Sequence, residues 1–255
     1  MRFHIIPNLN ELDKCLEISK QYDFGFEYNE FFKPEILDNE KLLNDIISKY
    51  KSLNRKNDTL HGVFFDIVLD SCDSKIRDIS IKRVESSLKI ATKLNVNKVI
   101  FHTNYINFMA KSDFYADNWV KKNKEVYLDL LAKYPNITIY IENMFDENPC
   151  LLKRLLSEAN HPRLRCCLDF AHASISPTPI NVWFNELKPF IGHIHINDND
   201  KIRDMHEEIG KGILDFDLFF KLINEMDKDI TVLIEINDLN KVLNSYKYIK
   251  EKYKC

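Results

Sequence analysis

Short runs of Val, Ile, Leu and Phe alternate along this chain with longer stretches in which apolar residues recur every three to four positions. The apolar runs are RFHII (2–6), FGFEY (24–28), TLHGVFF (59–65), KVIFHT (98–103), ITIYIE (137–142), LRCCLD (164–169), IGHIHI (191–196) and TVLIEI (231–236). Runs that are continuously apolar, rather than alternating, mark strands covered on both faces, as in a parallel sheet. Between them, Ile79, Val84, Leu88, Ala91 and Leu94 predict a helix over 79–94 with its lysines facing outward. Residues 115–134 and 238–253 predict two more, and Asn8 and Asn39 are placed to cap the helices that follow them. The helices after the fifth and sixth strands are the least clearly patterned, because PTPINVW carries two prolines.

Eight strand-then-helix units with no Pro/Gly/Ser-rich linker between them predict an α/β fold, a (β/α)8 TIM barrel spanning 1–255 as a single domain. An open doubly wound sheet is the competing architecture. It gathers ligands at one crevice, whereas here the chemically active residues recur at strand ends along the whole chain.

Composition narrows the class further. Of 255 residues, 45% are hydrophobic and 29% charged, as expected of an ordinary globular protein. A net charge of −3 points to neither a nucleic-acid nor a membrane-surface partner, although a basic groove can sit within a near-neutral total. The six cysteines, Cys15, Cys72, Cys150, Cys166, Cys167 and Cys255, contain no C-x-x-C pair and read as reduced thiols, most of them buried. MRFHIIPNLNELDK is too polar for a secretory leader, and no apolar run approaches the ~20 residues of a membrane span. The expectation is a cytoplasmic protein without membrane contact, its oligomeric state open.

The chemistry lies where the apolar runs stop. KVIFHTN ends at His102, ITIYIEN at Glu142, LRCCLDFAH at Asp169 and His172, IGHIHIND at His195, and TVLIEIND at Glu235. The loop RDMHEEIGKG adds Asp204 and His206, and TLHG adds His61. Imidazoles and carboxylates converging from several strand ends suit a divalent metal: Zn, Mn or Mg. A lone histidine on an apolar run is more often packing than ligand, and His4 and His161 keep that bland reading. The D-x-x-H spacing of Asp169 and His172 places both side chains toward one point. His193 lies one layer below His195 and reads as a residue that supports it or packs the core. An ionised carboxylate at a buried strand end is costly unless partnered, which singles out Glu142 and Glu235.

CLDFAHA, HIHINDND, RDMHEEIGKGILDF and LIEIND, together with Glu27 of FGFEY, resemble the xylose isomerase-like barrel superfamily over nearly the whole chain. That superfamily holds sugar isomerases and epimerases as well as the apurinic endonuclease IV enzymes. The isomerase resemblance implies one ion held by Glu142, Asp169, His195 and Glu235, with Glu142 and Glu235 shuttling a proton through an enediolate on the metal. The substrate is then a small carbohydrate or sugar-like hydroxy-ketone. His172 and Arg203 are candidates for its hydroxyls, IGKG (209–212) for an anionic group, and Phe31, Phe32, Phe65, Phe108 and Trp183 for the pocket wall. The endonuclease resemblance implies that His61, His102, His172, Asp204 and His206 join those four in a three-zinc cluster acting on abasic DNA. Glu27 and the acidic loop NEFFKPEILDNE (29–40) favour the isomerase branch, because a DNA-probing loop would be basic.

Overall fold

The computed structural model describes residues 1–226 and 230–253. Its elements, in chain order, are β1 (Arg2–Ile5), α1 (Leu12–Tyr22), β2 (Gly25–Tyr28), α2 (Pro34–Leu37), α3 (Glu40–Lys51), β3 (Thr59–His61), α4 (Ser74–Leu94) and β4 (Lys98–His102). They continue as α5 (Asp113–Lys133), β5 (Thr138–Glu142), α6 (Cys150–Ala159), β6 (Leu164–Asp169), α7 (Phe170–Ile175), α8 (Ile180–Leu187), β7 (Ile191–Ile196), α9 (Phe216–Asn224), β8 (Thr231–Ile234) and α10 (Leu239–Tyr253). The strands run β1 to β8 around a closed barrel, and β8 pairs with β1 from Arg2↔Thr231 to Ile5↔Ile234. That closure excludes the open sheet, in which two strands are left as unpaired edges.

The chain divides into two compact units, Met1–Glu27 with Asn143–Cys150 and Cys166–Cys255, and Tyr28–Glu142 with Leu151–Arg165. In the first, β6 pairs with β7 through Asp169↔His195, and β7 with β8 through His193↔Thr231 and His195↔Leu233. Ile5, Phe26, Cys166, Cys167, Ile194, Val232 and Leu233 are fully buried, as the continuous apolar runs require. His4 is core: its ring meets His193 edge-on at 5.6 Å, and a Cβ on Gly25 would lie 2.4 Å from its Nε2. Glycine at 25 is therefore what admits the imidazole.

In the second unit, β4 and β5 pair from Lys98↔Thr138 to His102↔Glu142. Val84, Leu88 and Ala91 of α4 and Trp119, Val120 and Leu131 of α5 are buried. Ile79, expected on the same face, is half exposed, and Ser80 turns inward instead. Its hydroxyl donates to the Ile76 carbonyl and accepts the Val68 N–H, so the loop's unpaired amide outranks the apolar phase. Helix α4 also starts earlier than its apolar pattern, at Ser74, where Asp73 caps it by accepting the Lys75 N–H at 2.8 Å.

Other local expectations divide in the same way. Asn39 caps α3, accepting the Leu42 N–H at 3.1 Å. Asn8 does not cap: its Oδ1 accepts the Asn10 N–H in a tight turn, and α1 begins only at Leu12. Strand β3 stops at His61 rather than running to Phe65, while Pro177 and Pro179 fall just ahead of α8 instead of breaking it. Cys15, Cys166 and Cys167 are buried and Cys72 and Cys150 exposed; Cys255 lies outside the described residues. No helix among the described residues is long and apolar enough to cross a membrane.

Candidate metal centre

Asp169 closes β6, His195 lies near the end of β7, and Glu235 follows β8 directly. The register that sets Asp169 beside His195 brings the three together, and a ligand atom from each lies within 4.8 Å of the others. The Glu235 N–H donates to the Ile196 carbonyl at 2.9 Å, holding that strand end in line. Asn143 clamps the end of β6, accepting the Asp169 N–H at 2.9 Å and donating to its carbonyl at 3.0 Å.

Glu27 settles which nitrogen of His195 is available. Its Oε1 lies 3.0 Å from His195 Nε2 and its Oε2 3.0 Å from His193 Nε2. Burial raises the Glu27 carboxyl, but the two imidazoles outweigh it and hold the group well below the usual carboxylate range. An ionised carboxylate only accepts, so it takes an N–H from each ring. His195 is left with Nδ1 facing Glu235 Oε2 at 3.5 Å. A carboxylate that fixes one ring nitrogen and frees the other is the usual support of a metal-binding histidine. His193 completes the chain, its Nδ1 2.6 Å from the Thr231 hydroxyl, in the supporting layer expected of it.

Asp169 Oδ1 caps α7 by accepting the His172 N–H at 2.6 Å, and its Oδ2 lies 3.7 Å from His172 Nδ1, so the D-x-x-H spacing brings the two side chains together. The far side of the His172 ring meets Asp204 and His206: both Nε2 atoms address Asp204 Oδ2, at 3.2 Å and 3.0 Å. Their Nδ1 atoms lie 3.0 Å from the Asn143 carbonyl and 2.8 Å from the Glu235 carbonyl, which can only accept. Burial lowers the His206 imidazole, yet Asp204 and Glu235 push it up to about 10. Asp204 is raised by burial and drawn far below its ordinary value by the two rings.

In the second unit His61, His102 and Glu142 form another ligand group within 4.8 Å. The two Nε2 atoms are 3.1 Å apart and lie 3.5 Å and 3.6 Å from Glu142 Oε2. His61 Nδ1 faces the Gly62 carbonyl at 3.0 Å, so its Nε2 lone pair points into the group. Phe64 stacks on His102 at 4.7 Å and meets His61 edge-on at 5.2 Å. Sequence reasoning passed over Phe64; its signal was the aromatic pair immediately after TLHGV.

The remaining candidates lie elsewhere. Arg203 is exposed and holds Asp200 through two contacts of 2.9 Å and 2.7 Å. Three of the four IGKG amides are already bonded within the protein. Ile209 N–H donates to Ser245, Gly210 N–H to Asp198 and Lys211 N–H to the Glu208 carbonyl. Asp198 is the organiser of this loop, accepting also from Asn199 and Leu214. Phe31 and Trp183 are fully buried packing residues, whereas Phe65 and Phe108 are exposed and Phe32 packs on Phe64 at 4.7 Å.

Residues 19–252 match the sequence family described as xylose isomerase-like TIM barrel. An uncharacterised protein of Methanocaldococcus jannaschii is 26% identical over 196 residues, 75% of this chain and 76% of that one. A probable endonuclease 4 of Mycoplasma mobile is 29% identical over 131 residues, 44% of this chain and 47% of that one. Among solved structures, a D-tagatose 3-epimerase-like protein has the same fold, with a TM-score of 0.81 at 20% identity across 100% of this chain and 97% of its own.

Proposed function

The chain belongs to the xylose isomerase-like TIM barrel family, and from that premise we propose a divalent-metal-dependent isomerase or epimerase acting on a sugar or sugar-like hydroxy-ketone. The observation that carries the reading is the convergence of Asp169, His195 and Glu235, with His195 oriented by buried Glu27. We assign Glu142, at the end of the neighbouring strand in the barrel order, as the fourth ligand. Three carboxylates and one imidazole fit Zn, Mn or Mg.

Bound there, the ion supplies Lewis acidity that polarises a carbonyl and acidifies the adjacent C–H. The protein supplies the proton transfer. One of Glu142 and Glu235 withdraws the proton through a carboxylate oxygen, and the same or the other glutamate returns it to the neighbouring carbon or to the opposite face. Glu27 and Asn143 act through the residues they hold, keeping His195 and Asp169 in place. The fold likeness to a D-tagatose 3-epimerase-like protein, which spans the whole chain, supports the same branch.

A second reading, a zinc-dependent phosphodiesterase acting on abasic DNA, is favoured by one specific observation. His61–His102–Glu142 and His172–Asp204–His206 each turn Nε2 and carboxylate atoms toward one another, so the donors suffice for more than one ion. The partial match to a probable endonuclease 4 points the same way. Metal analysis with two activity assays separates the readings. The first expects one essential divalent ion, exchange of solvent deuterium into a ketose, and loss of that exchange in Glu235→Gln. Nicking of abasic duplex, with three zinc ions bound and both features lost in His102→Ala, would establish the second.

A further inference from the structure

Phe145 lies in the loop after β5 and is 53% exposed, while Asp146 beside it is buried. Burial free energy favours the opposite, an aromatic ring inside and a carboxylate in water. Both ends of the loop are held in this arrangement. Asn143 is bonded to the backbone of Asp169 at the end of β6, and the Glu147 carbonyl accepts the Thr178 hydroxyl at 2.7 Å. Single exposed apolar side chains are common on any surface. What this one touches sets it apart.

The Phe145 ring lies 5.2 Å from that of His172, at an angle of 57°. His172 Nδ1 is in turn 3.7 Å from Asp169 Oδ2, and its Nε2 is 3.2 Å from Asp204 Oδ2. One imidazole thus separates an exposed aromatic face from a carboxylate of the candidate metal centre. On the far side of His172, Met205 is exposed between Asp204 and His206, whose side chains also reach solvent. Small-molecule sites are built in this way, with a few polar groups set among apolar and aromatic faces. The carbon chain of a ketose offers the complement, hydroxyls with C–H groups between them.

We propose that Phe145 is a specificity-determining residue: its exposed face packs on the C–H groups of the substrate's carbon chain beyond the reacting carbons. The inference rests on the isomerase reading and names the part of the substrate that this loop recognises. Contact with a part of the substrate that does not react is made equally before and during the reaction, so it enters KM rather than kcat.

The test is a series of hydroxy-ketones of increasing length, dihydroxyacetone, D-ribulose and D-fructose, with solvent deuterium exchange measured on the full chain supplied with manganese. Phe145→Ala should raise KM about 3- to 10-fold for D-ribulose and D-fructose, and leave kcat and the KM of dihydroxyacetone unchanged. Phe145→Tyr, which keeps the ring, should retain the wild-type values. Phe145→Leu gives the same comparison as alanine if the alanine variant does not fold. A rise in KM that is equal for dihydroxyacetone and D-fructose would show that the ring only holds His172, and would overturn the proposal. Unchanged KM throughout would overturn it too. Saturation-transfer NMR on the metal-free protein separates the proposal from the reading beneath it. Saturation of aromatic protons should pass to the C–H protons of D-fructose in wild type, and this transfer should be lost in Phe145→Leu. Such a transfer in a protein that exchanges no deuterium into any of the three ketones would uphold the role of Phe145 and overturn the isomerase reading. Exchange without the transfer would do the reverse.

Discussion

Replacing Glu27 tests the supporting architecture of the site, because two side chains of similar size give opposite expectations. Glu27→Met removes both acceptors from the His193 and His195 Nε2–H groups, all three side chains being fully buried. A buried donor left unpaired costs about 1–3 kcal/mol. His193 can recover part of this by moving its proton to Nδ1 and donating to the Thr231 hydroxyl 2.6 Å away. The net expectation is a loss of roughly 2–4 kcal/mol, against a total stability of about 5–15 kcal/mol. Glu27→Gln can satisfy every partner. Its carbonyl oxygen accepts from His195 Nε2–H, and its amide donates to His193 Nε2 once that ring has moved its proton toward Thr231. The Gln variant should therefore lose less than about 1.5 kcal/mol and keep His195 Nδ1 unprotonated. Urea unfolding of the metal-free proteins at constant m-value measures both losses. A Met variant as stable as wild type would refute the reasoning, and so would a Gln variant as damaged as the Met one.

Three further outcomes follow from other parts of the molecule. Glu235→Gln should abolish turnover while the chain stays folded, and a wild-type rate in that variant would remove Glu235 from the chemistry. Glu30 is raised above its ordinary value of 4.5 by burial, an effect that the Tyr50 hydroxyl bonded to it only partly offsets. Folding therefore favours its protonated form: as pH rises past 4.5 the unfolded chain releases this proton first, and native stability falls until the folded group has titrated. Urea unfolding across that range should show the fall in wild type and a flatter profile in Glu30→Gln. Gly212→Ala should cost about 1–3 kcal/mol and misplace the loop bearing Asp204 and His206. A Cβ at Gly212 would lie 2.3 Å from Asp198 Oδ1 and 2.4 Å from the Asn199 carbonyl, so a variant with wild-type stability by thermal unfolding would contradict that packing.

By itself the sequence determined the architecture and the identity of the ligand-type residues. Continuous apolar runs such as KVIF and TVLI are a one-dimensional record of burial on both faces, and their alternation with helical periodicity specifies the barrel. A strand end is also a local property, which is why His102, Glu142, Asp169, His195 and Glu235 could be read from where each run stops. What only the tertiary structure decided is how those residues are grouped and oriented. His172 meets Asp169 three residues before it with one ring nitrogen and Asp204, 32 residues further on, with the other, and only the first contact is written in the local spacing. Glu27 and His195 are far apart in sequence and meet through pairing across the sheet. The Ile209 and Gly210 amides of IGKG looked open to an anion until the fold brought Ser245 and Asp198 to them. Ring orientation and hydrogen-bond satisfaction depend on partners distant along the chain, and no local pattern of residue types records them.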